Sequence, residues 1–366
     1  MRVAIIFGTR PEAIKIAPVY HTLKNAKIDV KMISTGQHKE MLYQVLDLFN
    51  IKPDYELEIM KEGQGLSELT SRLIEKIERV IKKEKFDFIL VQGDTTSAFI
   101  GALVGFYNKI PIGHIEAGLR TGDIYSPFPE EANRKLIGNI AKVHFAPTEV
   151  NVTNLVKEGY NKDTILKVGN TVIDALYWVK KNKSPDLDKI REKYKLKDKK
   201  YILMTMHRRE NWGYPMREAL KGVRKYLEEN KEFYLVFPMH LNPLVRKDIE
   251  GELEGFDRKI LIDPLEYLEF ISIMDGSHFI MTDSGGIQEE APSLGKPTLI
   301  LRDTTERPEA IEAGTAKLVG TSSAKIYKYM KLLEGELYQK MSKANNPYGD
   351  GETSKKILMY IEQEKK

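Results

Sequence analysis

Short apolar runs alternate with longer amphipathic segments through this chain, and that alternation limits the fold more than any other feature of the sequence. Runs at 3–7, 30–34, 86–92, 110–115, 143–146 and 165–168 read as strands, and the stretches 12–25, 38–49, 67–85 and 96–108 between them repeat apolar residues at helical spacing. A strand that is apolar throughout must be covered on both faces, so the pattern calls for parallel sheets flanked by helices. After a polar, lysine-rich stretch at 180–200 the alternation resumes, with strands expected at 201–206, 233–237, 259–262, 279–282 and 298–301. At about 150 residues per domain, 366 residues suit two such units. The expectation is an α/β protein of two Rossmann-like, doubly wound parallel-sheet domains facing a cleft. The N-terminal domain is expected over 1–169 and the C-terminal one over 170–352, with a terminal helix at 353–366 as a candidate to pack back on the first.

Composition excludes several functions. Basic residues number 57 and acidic ones 53, with the signs interspersed, which leaves no broad basic face for a nucleic-acid backbone. The absence of cysteine removes disulfides, thiolate nucleophiles and cysteine-ligated zinc. No apolar stretch approaches the roughly 18 residues of a membrane span, and the run at 3–7 is too short for a signal-peptide core. A soluble, cytoplasmic protein without nucleic-acid or membrane partners is expected.

Open α/β sheets bind ligands beyond the carboxyl ends of their strands, so the residues just after each run carry the functional information. The first run ends in Gly8 Thr9 Arg10 Pro11 Glu12, which sets Arg10 and Lys15 beside a helix N-terminus that favours anions. Gln92 Gly93 Asp94 Thr95 Thr96 ends the third run, and Glu116 follows the fourth with His114 close by. Glu130 stands in the first turn of the next helix. Capping would account for Asp94, Thr95 or Glu130 singly. Taken together, Asp94, Glu116 and Glu130 come from neighbouring loops, and three converging acids repel one another, which should raise at least one pKa. In the second half His207 Arg208 Arg209 Glu210 forms a cationic cluster suited to a diphosphate, interdomain salt bridges being the alternative. Asp283 Ser284 Gly285 Gly286 lets the backbone approach an anion, Glu290 lies one turn further as a ribose acceptor, and Arg307 adds a cation to the rim. His21, His144 and His278 read as packed core residues. There is no GxGxxG at the first turn, and Gly295 Lys296 is followed by Pro297, so neither a nicotinamide site nor a P-loop is supported.

These motifs, in this order and over essentially the whole chain, resemble the non-hydrolysing UDP-N-acetylglucosamine 2-epimerases, whose fold is the glycosyltransferase B architecture. The resemblance implies a UDP-sugar substrate and no cofactor or metal. It makes Asp94, Glu116, Glu130 and His207 the catalytic set, and it places Arg10, Lys15, Phe270, Ser284, Gly285, Gly286, Glu290 and Arg307 on the substrate. It offers Gln37, His38, Arg208 and His240 as a candidate allosteric site for a second substrate molecule, although Glu40 and Gly63 depart from the family pattern there. A homodimer is also implied. A 2-epimerase of a related UDP-diacetamido uronic acid, and a UDP-sugar glycosyltransferase, are the alternative readings.

Overall fold

The apolar runs become strands whose side chains are buried on both faces, as in the uninterrupted burial of Phe88–Gln92. The computed structural model describes residues 1–36, 39–61 and 63–365, except the side chains of Lys39 and Glu40. Its first sheet is parallel and seven-stranded: β1 (Arg2–Phe7), β2 (Asp29–Ser34), β3 (Tyr55–Glu56), β4 (Phe88–Gln92), β5 (Ile112–Ile115), β6 (Val143–Ala146) and β7 (Ile165–Lys167), in the order β3-β2-β1-β4-β5-β6-β7. The second is parallel and six-stranded: β8 (Lys200–Thr205), β9 (Phe233–Pro238), β10 (Lys259–Ile262), β11 (Ile280–Thr282), β12 (Thr298–Ile300) and β13 (Ala316–Leu318), in the order β10-β9-β8-β11-β12-β13. Both are doubly wound, as the alternation requires. The strands β3 and β13 escape a reading by apolar runs because β3 has only two residues and β13, Ala-Lys-Leu, is interrupted by Lys317.

The helices bury one stripe each. In Leu66–Lys83 the buried residues are Leu69, Leu73, Ile77, Val80 and Ile81, a helical repeat that faces Ile89, Val91 and Ile100 of the first core. Arg10–Asn25 begins with a capping box in which Thr9 and Glu12 satisfy each other's backbone N–H groups.

The chain divides into two compact units, Met1–Trp178 with Tyr348–Lys366, and Val179–Pro347. Residues 170–178 and 348–352, which the sequence reading assigns to the second domain, therefore belong to the first unit. The cause is a set of hydrogen bonds to the returning segment. Asn170 donates its backbone N–H to Tyr348 O at 2.6 Å, and Asp174 accepts the N–H groups of Ser354 (2.7 Å) and Thr353 (3.3 Å) at the start of helix Thr353–Glu364. That helix lies against Arg10–Asn25, and its Tyr360 meets Phe145 edge-on at 5.5 Å.

Burial raises the Asp174 pKa, against the lowering effect of the N–H groups of Ser354 and Thr353. Asp174→Ala leaves those donors buried without an acceptor, and we expect a loss of about 2 kcal/mol in denaturant unfolding. Asp174→Asn keeps one acceptor oxygen and should lose less; equal losses would show that the carboxylate does not cap this helix.

Candidate active site

The strand orders position the chemistry. In the first sheet the chain winds from β1 outward through β2 and β3, then returns to the other side of β1 with β4. The loops after β1 and β4 therefore diverge and leave a crevice at the carboxyl edge. The second sheet repeats this at β8 and β11. The motifs singled out in the sequence sit at these two switch points: Gly8–Glu12 and Gly93–Thr95 in one unit, His207–Arg209 and Asp283–Gly286 in the other.

In the first unit, Glu12 links the two turns. Its Oε2 accepts the N–H groups of Gly8 (3.1 Å) and Thr9 (2.8 Å), and its Oε1 accepts the Thr95 hydroxyl at 2.7 Å. Burial raises the Glu12 pKa, although these hydrogen bonds work in the opposite direction. Thr95 caps helix Thr96–Tyr107 through Ala98 N. Asp94 is held by Arg134 at 2.6 Å, and the same guanidinium binds Glu131, which is 0% exposed, at 2.7 Å. Glu116 has φ +66°, a left-handed conformation that a non-glycine residue adopts only when its surroundings enforce it. Its carboxylate accepts from Lys15 Nζ (2.5 Å), Asn170 Nδ2 (3.3 Å) and Gln92 Nε2. Glu130 opens helix Glu130–Ile140 and is half-buried, as is Arg10 at the start of its own helix.

Asp94 and Glu116, two of the three acids, each have a cation at ion-pair distance, and at this edge burial raises the pKa of a fourth carboxyl, Glu12. Lys15, expected on the substrate, forms one of these ion pairs, with Glu116.

Beneath these turns lies His114, which is 1% exposed, with its Nε2 2.7 Å from Gly93 O. Burial lowers its pKa to about 4, helped by the charges of Arg120 and Arg134 and opposed by the Gly93 hydrogen bond and Glu116. His21, His144 and His278 are packed residues: His21 stacks on Trp178 at 5.4 Å and His278 on Tyr338 at 4.4 Å, while His144 lies 4.9 Å from the Tyr160 ring.

In the second unit Asp283 organises the edge. It is 0% exposed, whereas its partner His207 is 51% exposed, and His207 Nδ1 lies 3.1 Å from its carboxylate. Asp283 also accepts the backbone N–H groups of His207 (3.0 Å) and Arg208 (2.9 Å) and the Asn211 side chain (2.9 Å). Burial opposes its ionisation, but these partners outweigh it and hold the carboxyl below the ordinary range. With Nδ1 turned to Asp283, the imidazole presents its Nε2 edge outward. Arg208 donates to Asp283 O at 3.1 Å. Trp212 donates to His207 O at 3.2 Å and lies 5.4 Å from the exposed ring of His240. Of the other two residues proposed for the allosteric set, Gln37 and His38 lie outside the described residues.

The Ser284–Gly286 turn opens the short helix Gly285–Glu290. A Cβ at Gly285 would lie 2.3 Å from Arg307 Nη1, so the glycine lets the guanidinium rest against the backbone, while Gly286 faces open space. Arg307 is oriented by Glu289 at 2.7 Å. Glu290 accepts the Tyr267 hydroxyl at 2.8 Å, and Phe270 sits half-buried one turn further along helix Tyr267–Gly276. Desolvation, together with Glu290, raises the Tyr267 pKa well above the tyrosine range. The ion pairs of the basic cluster fall within this unit: Arg302 binds Glu210 at 3.0 Å and Glu306 at 3.1 Å.

Among the described residues no helix is long and apolar enough to cross a membrane. The family model for UDP-N-acetylglucosamine 2-epimerase matches residues 21–362. The chain belongs to the UDP-N-acetylglucosamine 2-epimerase family. It is 51% identical to a protein of that name from Bacillus subtilis (98% of this chain, 94% of the relative) and 50% identical to one from Yersinia pestis (98% and 97%). A solved structure from Neisseria meningitidis, described as UDP-GlcNAc 2-epimerase bound to UDP-GlcNAc, matches with TM-score 0.87 and 47% identity over 99% of this chain and 100% of that one. A glycosyltransferase from Rickettsia africae, 15% identical with TM-score 0.67 over 100% and 98%, shares the fold alone. The fold of this family member is the glycosyltransferase B type.

Sequence reasoning passed over the residues that hold the site in place. Arg134 and Asn170 carry no local signal, Glu131 reads as a first-turn acid of its helix, and Gln92 and Asp283 stand only as parts of motifs. The available signal was weak: Asp283 is an acid directly after a buried strand, the same position that marked Glu116.

Because the folded pKa of Asp283 is depressed, its contribution to stability is present above the unfolded value of about 3.9 and is lost as pH falls through the folded value. Asp283→Asn should lower stability at neutral pH by about 1 to 3 kcal/mol and flatten the acid limb of stability against pH. Denaturant midpoints measured across the acid range check this; an unchanged acid limb would rule out Asp283 as its source.

Proposed function

We propose that this chain interconverts UDP-N-acetylglucosamine and UDP-N-acetylmannosamine. The observation that carries the reading is the pair of occupied switch points, one lined with carboxylates and the other with a glycine turn, histidine and arginine, in a chain about half identical over its length to relatives of that activity. An enzyme that both binds a nucleoside diphosphate and moves a proton needs those two chemistries.

The C2 hydrogen of the sugar is not adjacent to a carbonyl, so direct abstraction by a carboxylate faces a prohibitive barrier. Departure of UDP solves this. The C1–O bond breaks with its electron pair going to the diphosphate, and the positive charge at C1 acidifies C2. A carboxylate then takes the C2 proton, the C1=C2 bond of a 2-acetamidoglucal forms, and UDP stays bound. Protonation of C2 from the other face and return of the diphosphate oxygen to C1 give the epimer. In this reading Asp94, Glu116 and Glu130 supply the proton acceptor and donor. His207, steadied by Asp283, and Arg307 stabilise the leaving diphosphate, which Ser284, Gly285 and Gly286 admit to the backbone. Glu290 takes the ribose diol, and Arg10, Lys15 and Phe270 complete the substrate set. The active form in this reading is a homodimer working in the cytoplasm.

The test is a proton NMR time course with UDP-N-acetylglucosamine in D2O. The expected result is UDP-N-acetylmannosamine, with deuterium at C2 of both sugars. Free N-acetylmannosamine would mean a hydrolysing enzyme, and neither product nor exchange would overturn the reading. Asp94→Asn, Glu116→Gln and Glu130→Gln should each lower kcat by about 100-fold or more while UDP still binds. Glu290→Ala should weaken UDP binding by about tenfold, as read by calorimetry; unchanged affinity would remove Glu290 from the ribose.

A further inference from the structure

Several polar groups of the turn that carries Asp94 are held by its surroundings. The Gly93 N–H donates to Ile115 O at 3.0 Å, and the Asp94 carbonyl accepts from Asn133 Nδ2 at 2.8 Å. The Asp94 carboxylate is held by Arg134, and the Thr95 hydroxyl by Glu12. The Gly93 carbonyl is met by His114 Nε2 at 2.7 Å. This carbonyl belongs to the peptide that joins Gly93, itself at φ +72°, to Asp94. A rotation of that peptide would swing the Asp94 side chain.

We propose that His114 is a positioning residue for the reaction, a buried Nε2–H donor whose hydrogen bond to the Gly93 carbonyl sets the peptide from which Asp94 reaches the substrate. A carbonyl oxygen only accepts, so Nε2 must carry the hydrogen. The other ring nitrogen, Nδ1, is buried and has no hydrogen-bond partner among the described residues. Among the described residues the Gly93 carbonyl is thus the polar partner that orients this ring. The low pKa keeps the ring neutral throughout the physiological range, and the Gly93 carbonyl selects its Nε2–H tautomer. His114 also lies on β5 two residues before Glu116, so a single strand end steers one proposed acid by covalent connection and another by a hydrogen bond.

The inference rests on the functional reading above, and its test separates the two. His114→Gln can return a side-chain N–H to the place of Nε2, whereas His114→Leu fills the space without a donor. For His114→Leu we expect kcat to fall on the order of 100-fold, as for a small misplacement of a reacting group, with KM changed less than about threefold. His114→Gln should restore kcat to within about fivefold of the parent. Comparable kcat for Leu and parent, or comparable losses for Leu and Gln in folded protein, would overturn the proposal, because a purely structural histidine moves stability and not this split. Should His114→Leu not fold, His114→Asn, whose donor falls short of Gly93, takes its place; failure of all three variants to fold would assign His114 to the fold alone. Independently of turnover, nitrogen-15 NMR of the histidine-labelled parent should report the neutral Nε2–H tautomer, and an Nδ1–H tautomer would overturn the proposal. A parent enzyme inactive on UDP-N-acetylglucosamine would instead defeat the functional reading, and the tautomer would still decide the hydrogen bond.

Discussion

The reversal of strand order in each sheet is the constraint on which the rest of the molecule depends. Where winding changes direction, between β1 and β4 and again between β8 and β11, the loops diverge and leave a crevice at the carboxyl edge. Polar groups that would be unaffordable within a sheet can be exposed there, and the chain concentrates its charged residues at those edges. The central strands make this practical: they are buried on both faces and hold their carboxyl ends rigidly, so the turns beyond them inherit a fixed position.

A second principle is that charge at these edges is balanced locally. Arg134 answers Asp94 and the fully buried Glu131, Lys15 answers Glu116, Arg302 answers Glu210 and Glu306, and Arg307 answers Glu289. In the buried Arg134–Glu131 pair, removing one partner leaves an uncompensated charge, which costs more than the pair contributes. A carboxylate that gives up a cation to substrate must therefore be supported by its remaining hydrogen bonds. Glu116 has these from Gln92 and Asn170, which keep it in place whichever way Lys15 turns.

Much of this was legible in the sequence. The apolar runs gave the principal strands within a residue or two, and the rule that function lies beyond strand ends selected the Asp94, Glu116, His207 and Ser284 turns. What was not legible depends on contacts between distant residues. Nothing local to Arg134 says that it will bridge Asp94, forty residues away, rather than remain a helix-surface cation. Nor does a count of the three acids disclose the cations that Asp94 and Glu116 meet in the fold. The division into units was misjudged because Asp174 looks like an ordinary helix residue until the segment near 353 returns to it. The strands β3 and β13 were invisible because Tyr55–Glu56 is too short to show a period and Lys317 interrupts the other.

That return has a consequence for the order in which the protein is made. The first unit is built from two pieces of chain separated by the whole of the second, with the capped helix Thr353–Glu364 as its last component. On the ribosome, Val179–Pro347 emerges while the N-terminal sheet still lacks that helix, so the side of Arg10–Asn25 that it covers stays open during synthesis. The unit begun first is completed only after the second has been made, when the helix that covers Arg10–Asn25 follows Val179–Pro347 out of the ribosome.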